Sequence, residues 1–157
     1  HIKSKFIFHM KHNSQVSEIQ VSYTPNLLVD MSIKNSKKSF ELMLNEWEQE
    51  TLQMQEEVKI LLLNRSNKVL GIYSLAKGGL TSCIVDVRII LSIALKTLAT
   101  GIILFHNHPS GNLKPSKADL DITKKLKNSC DLLDISLLDH LIITKDNYFS
   151  FADEGLI

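Results

Sequence analysis

His106 and His108 stand two residues apart, and Ser116 and Asp119 follow in the next stretch of chain. Neutral imidazole is the commonest protein metal ligand, and a carboxylate oxygen is a regular companion. At the end of a strand, residues i and i+2 project from one face, so both imidazoles can reach a single point. A helix opening at Ser116 brings Asp119 to its first turn and supplies a third ligand. Catalytic zinc takes three protein ligands and keeps one position open for water, whereas structural zinc takes a fourth ligand, usually cysteine. No cysteine lies near these residues. The predicted chemistry is therefore hydrolysis assisted by Zn2+ on His106, His108 and Asp119. Each part also has a bland reading. A bare His-x-His suits two polar residues hydrogen-bonded at a loop start, and Ser116 with Asp119 suits a helix N-cap pair. Only the combination of three ligands across one short loop favours the metal.

Such a site needs a base for its water, usually a carboxylate that does not ligate the metal. Glu56 and Glu57 both precede an apolar run, and residue type alone does not choose between them; a solvated helix end is the ordinary reading of both.

The elements that must hold these residues can be read from periodicity. Glu57 to Leu63 is a nearly continuous apolar run, expected as a buried strand. Turn chemistry at 64–68 and a return from Val69 to Leu75 make a hairpin. Asp86 to Ala99 reads as a mostly buried helix, and Gly101 to Phe105 as a short buried strand running into the His106–Gly111 loop. Ser116 opens a helix to about Cys130 or Leu133. Leu137 to Thr144 and Tyr148 to Phe151 are strands, with a turn at Asp146-Asn147. Upstream, Glu18 to Tyr23 alternates like a short strand, and Phe40, Met43, Leu44 and Trp47 place an amphipathic helix over 36–53.

Composition sets the outer limits. The chain has 157 residues, enough for one domain, with 44% hydrophobic and 22% charged residues and a net charge of +1. That balance encodes no overall attraction to nucleic acid or anionic membrane. Six lysines in residues 1–38 and six glutamates in residues 41–57 read as a basic arm and an acidic solvated helix face. Cys83 and Cys130 form no framework and are expected as buried or incidental thiols of a reducing, cytoplasmic compartment. No run approaches a membrane span. Met10 is the expected natural start, so residues 1–9 carry no functional argument here.

The motif also resembles a known family. His106-x-His108, seven residues, Ser116, two residues and Asp119 have the spacing of the JAMM motif of JAB/MPN metalloproteases. His106-Asn107-His108-Pro109-Ser110-Gly111, Pro115-Ser116, Ala118-Asp119 and Asp139-His140-Leu141-Ile142 are similar to the RadC family of bacterial proteins, over roughly Glu56 to Ile157. The resemblance implies an α/β fold: a deaminase-like three-layer mixed sheet flanked by helices, as one JAB/MPN domain over 54–157 after an N-terminal extension over 1–53. It implies zinc on His106, His108 and Asp119, Glu56 as general acid/base, and Ser116 as oxyanion stabiliser. Glu56 fits the family's register of glutamate, apolar run and Asn64 better than Glu57. The implied activity is a metallopeptidase or isopeptidase with a peptide or protein substrate. Two departures stand out. Residues 1–53 are unlike the helical DNA-binding-type region of many RadC-like chains, and the compact 64–101 segment leaves little room for ubiquitin-clasping insertions.

Other functions and residues weigh less. A DNA-repair role acting on or near nucleic acid is the runner-up, opposed by the weak net charge. The letters His-Asn-His do not make a nuclease motif, whose residues are dispersed. A zinc nucleobase deaminase needs His-x-Glu and Pro-Cys-x-x-Cys, both absent. A non-catalytic adaptor is disfavoured because every ligand position is filled. His140 is a candidate for orienting a ligand or, equally, a satisfied core histidine. Asn107 is expected to shape its loop, Asp86 to cap a helix beside Arg88, and Trp47 to pack in a core or interface. The 36–53 helix has a face that a dimer can use, though packing on its own domain is favoured. His9 and His12 lie in the N-terminal stretch and are set aside.

Overall fold

The apolar run after Glu57 becomes the second strand from the sheet edge, and its neighbours build outward from it. The structure, a computed structural model, describes residues 16–17, 19–25, 30–78 and 85–157. Among these, the elements in chain order are α1 (Ser36–Asn45), β1 (Glu57–Leu63), β2 (Val69–Lys77), α2 (Val87–Lys96), β3 (Gly101–Asn107), α3 (Lys117–Asp131), β4 (Ser136–Ile143) and β5 (Tyr148–Ser150). The five strands form one mixed sheet in the order β2-β1-β3-β4-β5. β3 and β4 run parallel, joined through α3, and the remaining pairs are antiparallel. The expected three-layer α/β architecture is present.

Strand alternation sorts the core into two clusters, one on each face of the sheet. Val58, Ile60, Leu62, Ile102 and Leu104 pack with Val87, Ile90 and Ala94 of α2 and with Leu126 and Cys130 of α3. Leu61, Leu63, Ile103, Phe105, Leu141 and Ile143 pack with Met43, Trp47 and Leu52 on the α1 side. β1 and β3 are buried along their whole length, as expected for strands covered on both sides. The sequence division at 53/54 is not a break in packing, because α1 and the turns after it cover one face of the sheet.

β4 contains an irregularity that matters for the site. Ile102 pairs with Leu137, but Ile103 pairs with Asp139, so Leu138 is an extra residue and the strand changes face across it. A Cβ on Gly101 would sit 2.8 Å from Leu138 Cδ1, so a larger residue there would require the Leu138 side chain to shift.

Two sequence expectations are corrected. Residues 19–25 belong to no strand, and Ile19 and Val21 are exposed; alternation without a face to bury does not make a strand. The nearest pairing is an isolated bridge between Ser32 and Lys68. The amphipathic helix expected over 36–53 ends at Asn45 and turns continue beyond it. Glu46 and Trp47 N–H donate to its last carbonyls at Leu42, Met43 and Leu44, and side chains serve the carbonyls around and beyond its end. Gln49 donates to Leu44 O and Trp47 O, and the buried Lys59 ammonium donates to Glu46 O while lying 4.8 Å over the Trp47 ring. Elsewhere the expected strands and helices form within a few residues of their predicted ends. Asp86 caps α2 by accepting from Arg88 N–H, and its carboxylate also holds the Arg88 guanidinium. Cys130 is buried, and burial pushes its thiol up to about 11. Cys83, His9 and His12 lie outside the described residues. No helix among the described residues is long and apolar enough to cross a membrane.

Candidate metal centre

Three elements converge on one point. β3 delivers His106 from its last turn of pleat, the chain just beyond it delivers His108, and the first turn of α3 delivers Asp119. One ligand atom from each lies within 4.8 Å of the others, the group of this kind found among the described residues. His106 Nε2 is 2.8 Å from His108 Nε2 and 3.2 Å from Asp119 Oδ1, and His108 Nε2 is 3.7 Å from Asp119 Oδ2. Tetrahedral ligands about 2.0–2.1 Å from zinc stand roughly 3.3 Å apart; the separations bracket that value, so all three side chains are within reach of one ion.

Each candidate ligand is held by a different device. Gly111, at φ +80°, closes the turn in which its N–H donates to His108 O, and so turns the Asn112 carbonyl toward the His108 ring. His108 Nδ1 is 2.5 Å from that carbonyl oxygen. A carbonyl only accepts, so Nδ1 carries the proton and Nε2 presents its lone pair to the cluster. His106 Nδ1 meets His140 Nε2 at 2.9 Å, and His140 Nδ1 meets Thr123 Oγ1 at 2.6 Å. His140 faces His106 because the Leu138 bulge brings it to the α3 side. Its ring stacks on Phe151 with centroids 4.5 Å apart. Burial, and then the neighbouring His106, push His140 well below histidine's ordinary value and keep it neutral.

Asp119 serves two structures at once. Its Oδ2 accepts from Ser116 N–H at 2.6 Å and from Ser116 Oγ at 2.7 Å, while Asp119 N–H donates to Ser116 Oγ, making a capping box. Its Oδ1 faces His106. Burial alone would raise the Asp119 carboxyl. His106, when it is protonated, and then the Ser116 hydrogen bonds outweigh it and hold the group well below the usual carboxylate range. The capping reading and the ligand reading of Asp119 are thus compatible, one oxygen for each. The Ser116 hydroxyl proton is directed at Asp119.

The adjacent glutamates part company. Glu56 shares its side of the sheet with Val58, which packs toward α2 and α3, and it lines a cavity of about 490 Å³ with His106, His108, Ser116, Asp119 and His140. Apolar side chains of Val58, Val85, Leu104 and Ile122 complete that wall, with Lys114 among its polar lining. Glu57 points to the other face, is only 1% exposed, and accepts from the Thr51 hydroxyl at 2.7 Å. Asn107 shares that face. Its Oδ1 accepts from Glu57 N–H at 2.7 Å, and its Nδ2 donates to Leu52 O and Gln55 O. It therefore ties down the segment that ends in Glu56.

Residue types did not reveal Thr123 as part of the cluster. It lies four residues after Asp119, on the stripe of α3 that also buries Leu126 and Cys130, so a polar residue in a buried stripe was the available signal. Asp139, beside His140, is instead a brace. Its carboxylate accepts from Ser150 Oγ, Ala152 N–H and His140 N–H. A larger groove of about 730 Å³ lies at the opposite end of the strands, lined by residues such as Asn64, Arg65, Asp131 and Asp134. It contains no ligand cluster like the one described, so size does not mark the chemistry here.

Comparison with known proteins adds the following. A family model described as a RadC-like JAB domain matches residues 33–156. A UPF0758 protein of Flavobacterium johnsoniae is 54% identical over 101 residues, covering 64% of this chain and 44% of that protein. A UPF0758 protein of Porphyromonas gingivalis is 48% identical over 104 residues, 66% of this chain and 46% of that protein. A UPF0758 protein of Chlorobaculum parvum is 40% identical over 129 residues, 82% of this chain and 57% of that protein. The chain spans about half the length of these curated relatives.

Proposed function

The chain belongs to the RadC-like JAB domain family, and we propose that it is a zinc-dependent hydrolase acting on peptide or isopeptide bonds of a peptide or protein substrate. The observation that carries this reading is the convergence of His106 Nε2, His108 Nε2 and an Asp119 oxygen, within reach of one ion, on a cavity that Glu56 also lines. These three residues would hold the ion. Two nitrogen donors and one carboxylate, with no fourth ligand in the group, suit a catalytic site better than a structural one. When bound, zinc supplies Lewis acidity toward a carbonyl oxygen and toward water, whose pKa it lowers to about 7.

The chain's own groups do the rest. Glu56 takes a proton from the attacking water and returns it to the leaving amine as the carbon–nitrogen bond breaks. Ser116 offers a hydroxyl beside the cluster. In this reading it exchanges its bond to Asp119 for one to the developing oxyanion, a contribution of about 2.7–4 kcal/mol in comparable sites. The apolar wall of Val58, Val85, Leu104 and Ile122 accepts an aliphatic part of the substrate and keeps water from the reacting bond.

The test is elemental analysis of protein purified without chelator, beside an Asp119→Ala variant, followed by peptide-library cleavage. About one zinc per chain, lost in the variant, with cleavage that depends on it, supports the reading. A wild-type protein that takes up no zinc at neutral pH sinks it.

A further inference from the structure

The imidazole of His106 can serve a metal through Nε2 only when its proton sits on Nδ1, and the structure contains a device that decides this. Thr123 Oγ1 is 2.6 Å from Asp119 O, a carbonyl that only accepts, so the threonine proton is directed there. Toward His140 Nδ1, at 2.6 Å, Thr123 Oγ1 is then left to accept, and His140 must carry its proton on Nδ1. A neutral imidazole has one N–H, so His140 Nε2 is an acceptor. His106 Nδ1, 2.9 Å away, must be the donor to it, which leaves His106 Nε2 with its lone pair toward His108 and Asp119. His140 is 1% exposed and Thr123 2%, so water does not compete for these bonds.

We propose that Thr123 is a positioning residue that, through His140, fixes the tautomer of His106 and so keeps the triad competent for a metal. The relay starts at the backbone carbonyl of Asp119 and ends on His106 beside the Asp119 carboxylate, so one helix turn sets both ligands together. His108 gets the same tautomer from the Asn112 carbonyl by a single bond. His106 lies too deep on the strand for a loop carbonyl and gets it through two side chains. Thr123 touches no metal; it acts only through His140. The proposal rests on His106 being a metal ligand, but its first readout does not.

That readout is long-range 1H–15N NMR of the imidazoles in metal-free protein, comparing wild type with Thr123→Val and Thr123→Ser. Wild type should show His106 and His140 as Nδ1–H tautomers. Thr123→Val keeps the shape but removes the acceptor, so both rings should move toward Nε2–H, and zinc affinity by chelator competition should fall about 10–100-fold. Thr123→Ser should restore the tautomers and most of the affinity. Unchanged tautomers in Thr123→Val overturn the proposal whatever the affinity does, because a loss without them is a packing effect. A wild type with the expected tautomers and no zinc uptake would overturn the hydrolase reading while leaving the relay standing.

Discussion

Both faces of the sheet bury polar groups at the same strand ends, and they use them differently. On the α1 face, Asn107 makes three hydrogen bonds, Glu57 is held by Thr51, and the Lys59 ammonium meets the end of α1. Those groups close on one another. On the α3 face, the network from Thr123 through His140 to His106 ends on a lone pair, and the loop around His108 ends on another. Buried polar groups are normally all satisfied, so acceptors that converge on one point make a group that could hold a cation. The closed network serves the fold, and the open one is the candidate metal centre.

One substitution on each face separates their roles. Glu56→Gln should lower the rate on any cleaved peptide by about 10²–10⁴-fold at unchanged zinc content. Glu57→Gln, one residue on, should leave the rate within a few-fold. Equal losses in steady-state kinetics would show that the two faces do not divide the work. Asn107→Ala should cost about 3 kcal/mol in urea unfolding, because it leaves a buried N–H and two carbonyls unpaired. A cost under about 1 kcal/mol would mean that the closed network is not structural. Zinc at 100 times its Kd should stabilise the wild type by about 2.7 kcal/mol and do nothing for Asp119→Ala, as measured by thermal unfolding. Ser116→Ala should cost about 1 kcal/mol as a lost helix cap. If its effect on turnover exceeds that on stability, the hydroxyl does more than cap α3.

Much of this was legible before any fold was known, and the failures are as instructive. The spacing of His106, His108, Ser116 and Asp119 rests on local periodicity: two residues per pleat on a strand, three from cap to first turn on a helix. Those relations survive any packing, so the grouping of His106, His108 and Asp119 was readable. The strand expected over Glu18–Tyr23 shows the reverse, since alternation alone supplied no surface for Ile19 and Val21 to cover. The helix expected over 36–53 stops at Asn45, and the turn after it is held by Gln49 and by Lys59, which comes from a strand.

The residue order was enough to set the types of the candidate ligands and the elements that carry them. Their types, their spacing and the apolar runs of β1 and β3 required nothing beyond neighbours in the chain. Residue type left Glu56 and Glu57 open and the resemblance favoured Glu56. The tertiary structure lines the cavity with Glu56, which depends on which side of β1 α2 and α3 cover. It alone placed His140 beside His106, through one extra residue at Leu138, and Thr123 beside His140. The physical reason is that strand register and helix docking are set by contacts between distant residues, and a shift of one residue sends every later side chain to the opposite face.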